Sequence, residues 1–509
     1  MILPRIIVTG ASGFVGRHLL DSLKEEYEIV GLGRRSQARC GAPFHPNITW
    51  HQVDIGDSVT LDQVFAEIQA GGPVEFVIHL AAHYDFTGED HPEYYRTNVE
   101  GLRNVLEHCR VLKPRRFIFS SSVAACAFPP SGEALTESSP PDGDHIYAKT
   151  KAMGEAMLAG YRDDFPSVIV RFAALFSDWC EYPPLYMFLR TWLSRAWNRR
   201  ILGGRGNSAI PYLHVNDLVS CLVRIIVRNV DLEDGEILLA SPDGAVSHEQ
   251  LFIEATQYFF DHAKPPFHMP RPLIKPGIVV QGIVGRFLDE KPFERPWMAR
   301  YVDMELGVDA SRTRERLNWF PRRRLEILYR LPFLIENFKY DRIEWTRRNR
   351  DAMKMVRFRP NLKIHSLMVK NKEDIIEESA RTLRQDFPSY GNMSPKDLDW
   401  ILRMVLRNLF NAVRTRMKTE FMSYCREVAS RRIEQGFAPE EIVGALETLD
   451  SICIKALIDD PESTEVQPYL YSCITMTIRF GIDQVMETCD RLHEQSGHGG
   501  RSPCDRKRD

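Results

Sequence analysis

No stretch of ~18 uncharged apolar residues occurs in the chain, so no transmembrane helix is predicted. The nearest approach, Ile278 to Leu288, is broken by Gly282, Gly285 and Arg286 and reads as a helix of a substrate-side segment. Excess charge is lacking too: 66 Lys and Arg against 69 Asp and Glu leave a net charge of −3, which sets nucleic-acid binding aside. The ten cysteines form no C-x-x-C and no His-paired spacing. That argues against a disulfide framework and a structural metal, and for reduced thiols. No charged-then-apolar leader follows Met1, so the expected location is cytoplasmic. What remains is ordinary globular composition, 44% hydrophobic and 27% charged over 509 residues, enough for two or three domains.

The most informative stretch is Ile6-Ile7-Val8-Thr9-Gly10-Ala11-Ser12-Gly13-Phe14-Val15-Gly16. It reads as a buried strand, a glycine turn and an amphipathic helix with Val15, Leu19, Leu20 and Leu23 inward. Gly10 permits the tight turn, Gly13 lets a pyrophosphate approach the backbone, and Gly16 lets the helix pack on the sheet. Further strands are read at Tyr27–Leu32, Ile48–Val53, Val74–Leu80 and Arg116–Phe119, alternating with helices. That rhythm predicts a doubly wound parallel sheet with its site at the C-terminal strand ends. The second strand ends in Gly33-Arg34-Arg35, where an acidic residue would favour NAD. Two guanidiniums instead suit a 2′-phosphate, so NADP is the expected cofactor, with NAD the lesser reading. Small residues at Ala81 and Ala82, after Leu80, would let a cofactor pass close to the chain.

Catalytic chemistry is read at the fifth strand's end. Ser122 is followed by Tyr147 and Lys151, which are four apart on a helix and share a face. A nearby ammonium would lower the phenol's pKa, letting Tyr147 exchange a proton with a carbonyl or alcohol while Ser122 fixes its oxygen.

Residues 5 to about 325 resemble the extended short-chain dehydrogenases/reductases, the NAD(P)-dependent epimerase/dehydratase family. The resemblance is carried by Thr9 to Gly16, Asp54, His79-Leu80-Ala81-Ala82, Thr97-Asn98-Val99-Glu100-Gly101, Ser120-Ser121-Ser122, Tyr147 with Lys151, Arg171, and Tyr212 to Asp217. It implies Ser122, Tyr147 and Lys151 as the catalytic set. The implied cofactor contacts are Gly10, Ser12, Gly13, Phe14, Val15, Gly16, Arg34, Arg35, Asp54, Ile55, Leu80, Ala81, Ala82, Asn98, Tyr147 and Lys151, the lysine also holding the nicotinamide ribose.

Departures narrow the reaction. Dehydratases of the family carry Asp-Glu after the active-site hydroxyl residue, where this chain has Val123-Ala124. Ser208-Ala209-Ile210-Pro211 lacks the basic residue that many nucleotide-sugar members use, and Phe176-Ser177-Asp178 replaces Tyr-Gly-Pro. The bulky residues Trp179, Tyr182, Leu185, Tyr186, Phe188, Leu189, Trp192 and Trp197 make an apolar pocket plausible. The leading expectation is therefore carbonyl–alcohol interconversion on a small hydrophobic, sterol- or lipid-like molecule. Nucleotide-sugar epimerisation is the enzymatic alternative, and a dinucleotide-sensing regulator the alternative of another class.

The expected domains are an enzyme domain over 1–338, with a small substrate-side subdomain from about 176, then a basic linker over 339–371, a helical bundle over 372–493 and a disordered tail over 494–509. The linker's charges read first as a solvated face, and contact with an anionic membrane surface is the lesser reading. Ala429 to Phe437 and the following helix resemble the helical sensor domains of RsbR-type regulators. That resemblance implies regulation and a homodimer, with neither His365 nor His493 expected to bind metal.

Overall fold

The computed structural model describes residues 3–86, 88, 90–278, 296–353 and 359–495. The expected helix at 278–288, beyond its first residue, and the expected tail from 496 onward lie outside the described residues. Two compact units divide the chain, residues 1–357 and 358–509.

In the first unit, seven strands form one parallel sheet: β1 Arg5–Thr9, β2 Glu28–Gly33, β3 Ile48–Gln52, β4 Phe76–His79, β5 Arg116–Ser122, β6 Ser167–Phe172 and β7 Glu236–Ala240. Their order is β7-β6-β5-β4-β1-β2-β3, with Ile7 opposite Val77 on one side and Val30 on the other. Near-continuous Ile, Val and Phe runs account for this burial, because a sheet covered on both faces shows no alternation. One face carries α1 Phe14–Leu23, which buries Leu19, Leu20 and Leu23. The other carries α2 Ser58–Ala70 and α3 Gly101–Leu112, whose Leu102, Val105 and Leu106 meet Phe117 and Phe119. α4 Ile146–Leu158 follows the β5 end. The order reverses between β1 and β4, and in open α/β sheets a ligand binds in the crevice at that point.

A second apolar cluster packs α5 Pro183–Trp192, α6 His248–Phe260 and α7 Ile327–Tyr340, around Leu185, Phe252 and Leu334. Within the stretch expected as a basic linker, Arg342–Met353 and Pro360–Lys370 are helical. α8 Arg342–Met353 lies in the first unit and buries Trp345 and Asn349, while α9 Pro360–Lys370 lies in the second. Apolar residues hidden among the charges explain the difference: Trp345 in the first helix and Leu362, Ile364 and Leu367 in the other are all buried. Several of the charges are paired as well, Arg348 with Glu344 at 2.6 Å and Lys363 with Glu462 at 3.1 Å.

The second unit is a bundle of α9, α10 Lys372–Asp386, α11 Pro395–Thr415, α12 Thr419–Glu434, α13 Pro439–Ile458 and α14 Met476–Gln495. Ser394 caps α11 by accepting from the Asp397 N–H at 3.2 Å, with Pro395 at the first helical position. Leu406, Leu409, Phe421, Leu449 and Ile478 join one core. His365 lies on α9 with its ring edge toward Phe410, rather than in an exposed linker. No described helix is long and apolar enough to cross a membrane.

Candidate active site

The glycine turn is shaped for an anion. Gly10 has φ +69°, and a Cβ there would stand 2.6 Å from the Ala81 nitrogen, so the loop after β4 passes directly beside the turn. Gly13 opens α1 with no side-chain cap, and the first turn of α1 contains no acidic residue. The N–H groups at Phe14 and Val15 and the positive end of the helix dipole are therefore not neutralised by a side chain. Thr9 ties the two loops, its hydroxyl accepting from the Ala81 N–H at 3.3 Å and meeting His79 Nδ1 at 3.0 Å. Burial pushes His79 down to about 3, so it is a neutral bracket at physiological pH. This cradle fits a dinucleotide's pyrophosphate.

At the expected adenine end, Arg34 pairs with the buried Glu93 at 3.2 Å, and Arg35 donates to the Ser12 carbonyl. Asp54 accepts from the Gly56 N–H at 2.9 Å and pairs with Arg96 at 3.2 Å. Ile55 is buried and holds Asn104 through its carbonyl. Asn98, expected as a cofactor contact, is committed to protein. Its amide donates to the His83 carbonyl at 3.0 Å and to Thr150 Oγ1 at 2.9 Å, and accepts from the His83 N–H at 2.6 Å. All of these bonds are buried, so Asn98 clasps the loop after β4 to α4, from a π-helical turn at Arg96–Glu100.

The residues expected to be catalytic lie where α4 crosses the end of β5. Tyr147, Lys151 and Glu155 stand four apart on one helical face and meet the three serines of the strand. Ser122 lies close enough to the Tyr147 phenol to act on its pKa, the Lys151 ammonium donates to the Ser120 carbonyl at 2.6 Å, and Ser121 donates to Glu155 at 2.5 Å. The close crossing requires Gly154, where a Cβ would come within 2.6 Å of Phe119. Glu155 in turn forks onto the fully buried Arg171, with contacts of 3.0 and 2.7 Å, and Arg171 holds the Ser139 carbonyl at 2.7 Å.

The electrostatics differ from expectation. The Tyr147 phenol is raised rather than lowered, because burial opposes the phenolate and outweighs the effect of Ser122. Lys151 lies 5.8 Å from the Tyr147 ring centre and is itself pushed down to about 8 by burial, with Glu155 pulling the other way. At neutral pH the phenol therefore carries its proton.

On the substrate side, Tyr84 packs against Tyr147 with ring centres 4.3 Å apart, and Phe86, Tyr182 and Met187 continue the wall. Of the bulky residues expected to make an apolar pocket, Tyr182 reaches this wall. Leu185, Leu189 and Trp192 are core, Trp179, Tyr186 and Phe188 pack against that core, and Trp197 is exposed.

Glu181 and Asn349 escaped the sequence reading. Cys180 and Glu181 take φ of 73° and 53° in succession, which costs roughly 1–2 kcal/mol each for side-chain-bearing residues. The turn is held by the Glu181 carboxylate, which pairs with Arg17 of α1 at 3.1 Å and accepts from Ser177 at 2.7 Å. Asn349 of α8 accepts from the Glu181 N–H at 2.9 Å and donates to the Trp179 carbonyl at 2.7 Å. A positive φ outside glycine leaves no mark on composition, and α8 follows the expected domain end. Among the described residues, no group of three or more His, Cys, Asp or Glu could hold a metal.

Residues 6–240 match the model of the NAD dependent epimerase/dehydratase family. The chain is 30% identical over 273 residues to an N-acetyl-α-D-glucosaminyl-diphospho-ditrans,octacis-undecaprenol 4-epimerase of Escherichia coli O157:H7, covering 53% of this chain and 76% of that protein. The chain belongs to the NAD dependent epimerase/dehydratase family. It is thus an enzyme of the extended short-chain dehydrogenase/reductase class. It is also 31% identical over 166 residues to a UDP-glucose 4-epimerase of Schizosaccharomyces pombe, covering 30% of this chain and 45% of that one. Solved structures share the fold at lower identity. A UDP-glucose 4-epimerase of Thermotoga maritima, solved with UDP-glucose, aligns over 66% of this chain and 99% of its own, with TM-score 0.51 and 19% identity. A dTDP-glucose 4,6-dehydratase of Bacillus anthracis str. Ames, solved with NAD, aligns over 67% and 98%, with TM-score 0.50 and 17% identity.

Proposed function

We propose that this enzyme is an NAD-dependent epimerase acting on a sugar carried by a diphosphate. The observation that carries the reading is the set of Ser122, Tyr147 and Lys151 at the β5 end, beside an uncapped helix start and with no acid–base pair after Ser122. Val123 and Ala124 occupy those positions, Val123 is buried, and neither can exchange a proton, so elimination of water lacks its acid and base. The named relatives include epimerases of nucleotide- and lipid-linked sugars, which supports the same reading over a sterol or lipid alcohol. NAD rather than NADP is favoured because Arg34, the expected clasp for a 2′-phosphate, is already neutralised by Glu93.

NAD bound in the cradle would supply a hydride acceptor and then a hydride donor. Ser122 would hold the substrate oxygen, and Tyr147, as the phenolate that the positive charges of Lys151 and bound NAD would favour, its own proton having passed to solvent, would take the substrate's proton as the ketone forms. The phenol's raised pKa makes the return step favourable, with Tyr147 giving the proton back. The Lys151 ammonium supplies positive charge on the same helical face.

A second reading, reduction of an apolar carbonyl, is favoured by the Tyr84, Phe86, Tyr182 and Met187 wall. The discriminating experiment incubates the purified chain with UDP-glucose and UDP-N-acetylglucosamine plus NAD, and resolves the 4-epimers chromatographically. Equilibration without net NADH production supports epimerisation; untouched sugars, together with oxidation of added NADPH by an apolar ketone in a parallel incubation, would overturn it.

A further inference from the structure

The outward face of α7 is aromatic where a solvated helix face would be charged. Ile327 and Leu331 are buried and turn that helix's apolar side into the fold. On the opposite side Tyr329, Phe333 and Tyr340 recur at i, i+4 and i+11, within about 40° of one line along the helix. They are 51%, 52% and 80% exposed. Single exposed apolar residues are ordinary, but three large rings in one stripe make a patch of the kind that marks an interaction surface. Tyr258 of α6 widens it, donating its hydroxyl at 2.7 Å to Glu336 on the same side of α7.

Cations stand among these rings. Arg323 lies over the Tyr329 ring at 5.4 Å, Arg330 over Phe333 at 3.8 Å and Lys339 over Tyr258 at 5.3 Å. Arg342, which opens α8, lies over Phe338 at 5.4 Å. Arg330 is paired with Asp178 at 2.6 Å, whereas Arg323, Lys339 and Arg342 make no ion pair among the described residues. From Arg322 to Arg350 nine Lys and Arg stand against four Asp and Glu, so this stretch is positive in a chain whose net charge is −3.

That charge decides what covers the patch. A two-fold pairing of two copies would press like-charged surfaces together, which is unfavourable. An anionic bilayer suits both features: tyrosine and phenylalanine rings settle at headgroup level, while Lys and Arg stems lie along them and carry their charges to acidic headgroups. We infer that α7 docks the enzyme peripherally on a membrane containing anionic lipid, with Tyr329, Phe333 and Tyr340 at headgroup level and Arg323, Lys339 and Arg342 against lipid phosphates. Docking of this kind needs no spanning helix. It rests on this surface alone, so the inference stands whether or not the proposed epimerisation is correct.

The test is sedimentation of the full-length protein with vesicles of phosphatidylcholine alone and of phosphatidylcholine mixed with phosphatidylglycerol, at low and raised salt. Two variants accompany it, one combining Tyr329→Ser, Phe333→Ser and Tyr340→Ser, the other Arg323→Gln, Lys339→Gln and Arg342→Gln; unchanged melting shows that their fold is kept, and the comparison of the two vesicle types needs neither. The expected result is saturable binding to the phosphatidylglycerol vesicles, weakened by salt, and about tenfold or more weaker on phosphatidylcholine alone and in either variant. No binding of the wild type to the phosphatidylglycerol vesicles, equal affinity for phosphatidylcholine alone, or undiminished binding of the folded aromatic variant overturns the inference. So does a lipid-free dimer that the same substitutions dissolve, because a second copy would then cover the face.

Discussion

Replacing Glu155 with Ala should cripple the enzyme without touching a reacting atom. Glu155 is the sole carboxylate partner of Arg171 among the described ion pairs, and the two side chains are 5% and 0% exposed. Truncation strands a guanidinium in the sheet's interior beside the Ser139 carbonyl, and leaves the Ser121 hydroxyl without its acceptor. Breaking a buried pair from one side costs about 3–5 kcal/mol, whereas removing both charges together is often close to neutral. Glu155→Ala should therefore lose about 3–5 kcal/mol, and the double variant Glu155→Leu, Arg171→Met should recover much of that. Tryptophan fluorescence in urea is a suitable assay, because every tryptophan except Trp400 lies in the first unit, and the unit's own transition can be followed separately from the bundle's. A loss below about 1 kcal/mol in Glu155→Ala, or strict additivity in the double variant, would refute the buried-pair reasoning.

Three further outcomes are expected. Lys151 titrates near 8 in the folded chain and near 10.4 when unfolded, so between those values the folded state has released a proton that the unfolded state keeps. Stability of the cofactor-free protein should rise with pH across that window, by about 3 kcal/mol at most, and the rise should be absent in Lys151→Met when melting is compared at pH 8 and 10. Glu93→Gln should release Arg34 from its ion pair and strengthen NADP binding relative to NAD by about tenfold (~1.4 kcal/mol), read by fluorescence titration; an unchanged ratio would show that Arg34 does not face the 2′ position. Gly10→Ala forces a side chain into a left-handed backbone and to within 2.6 Å of Ala81, so NAD binding should be lost and the melting temperature lowered; normal NAD affinity would contradict the cradle.

What could be read from the sequence is what lies close together along the chain. The turn from Gly10 to Gly16, the strand runs, and Tyr147 with Lys151 are local patterns whose spacing matches a helix or a buried strand. Their partners were not legible. Nothing in the vicinity of Arg34 announces Glu93, fifty-nine residues on, and the pair changes what the arginine is available to do. Asn98 was expected as a cofactor contact from the family resemblance, and nothing local to it announces its bonds to His83 and Thr150. The same limit applies to pKa values. An ammonium four residues from a phenol suggested an acidic tyrosine, but both groups are buried, and desolvation, which depends on the whole fold, is the larger effect. In the 339–371 stretch the charges outnumber the few apolar residues, Trp345, Leu362, Ile364 and Leu367, that are buried on its two described helices.

The most direct test of the account is rapid mixing of NAD-loaded wild type and Tyr147→Phe with UDP-glucose and UDP-N-acetylglucosamine, following NADH fluorescence. The account predicts a transient rise and decay in the wild type with at least one of the sugars, and a rate about 100- to 10,000-fold lower in Tyr147→Phe with NAD affinity unchanged. No transient with either sugar, or an equal rate in the two proteins, would contradict it.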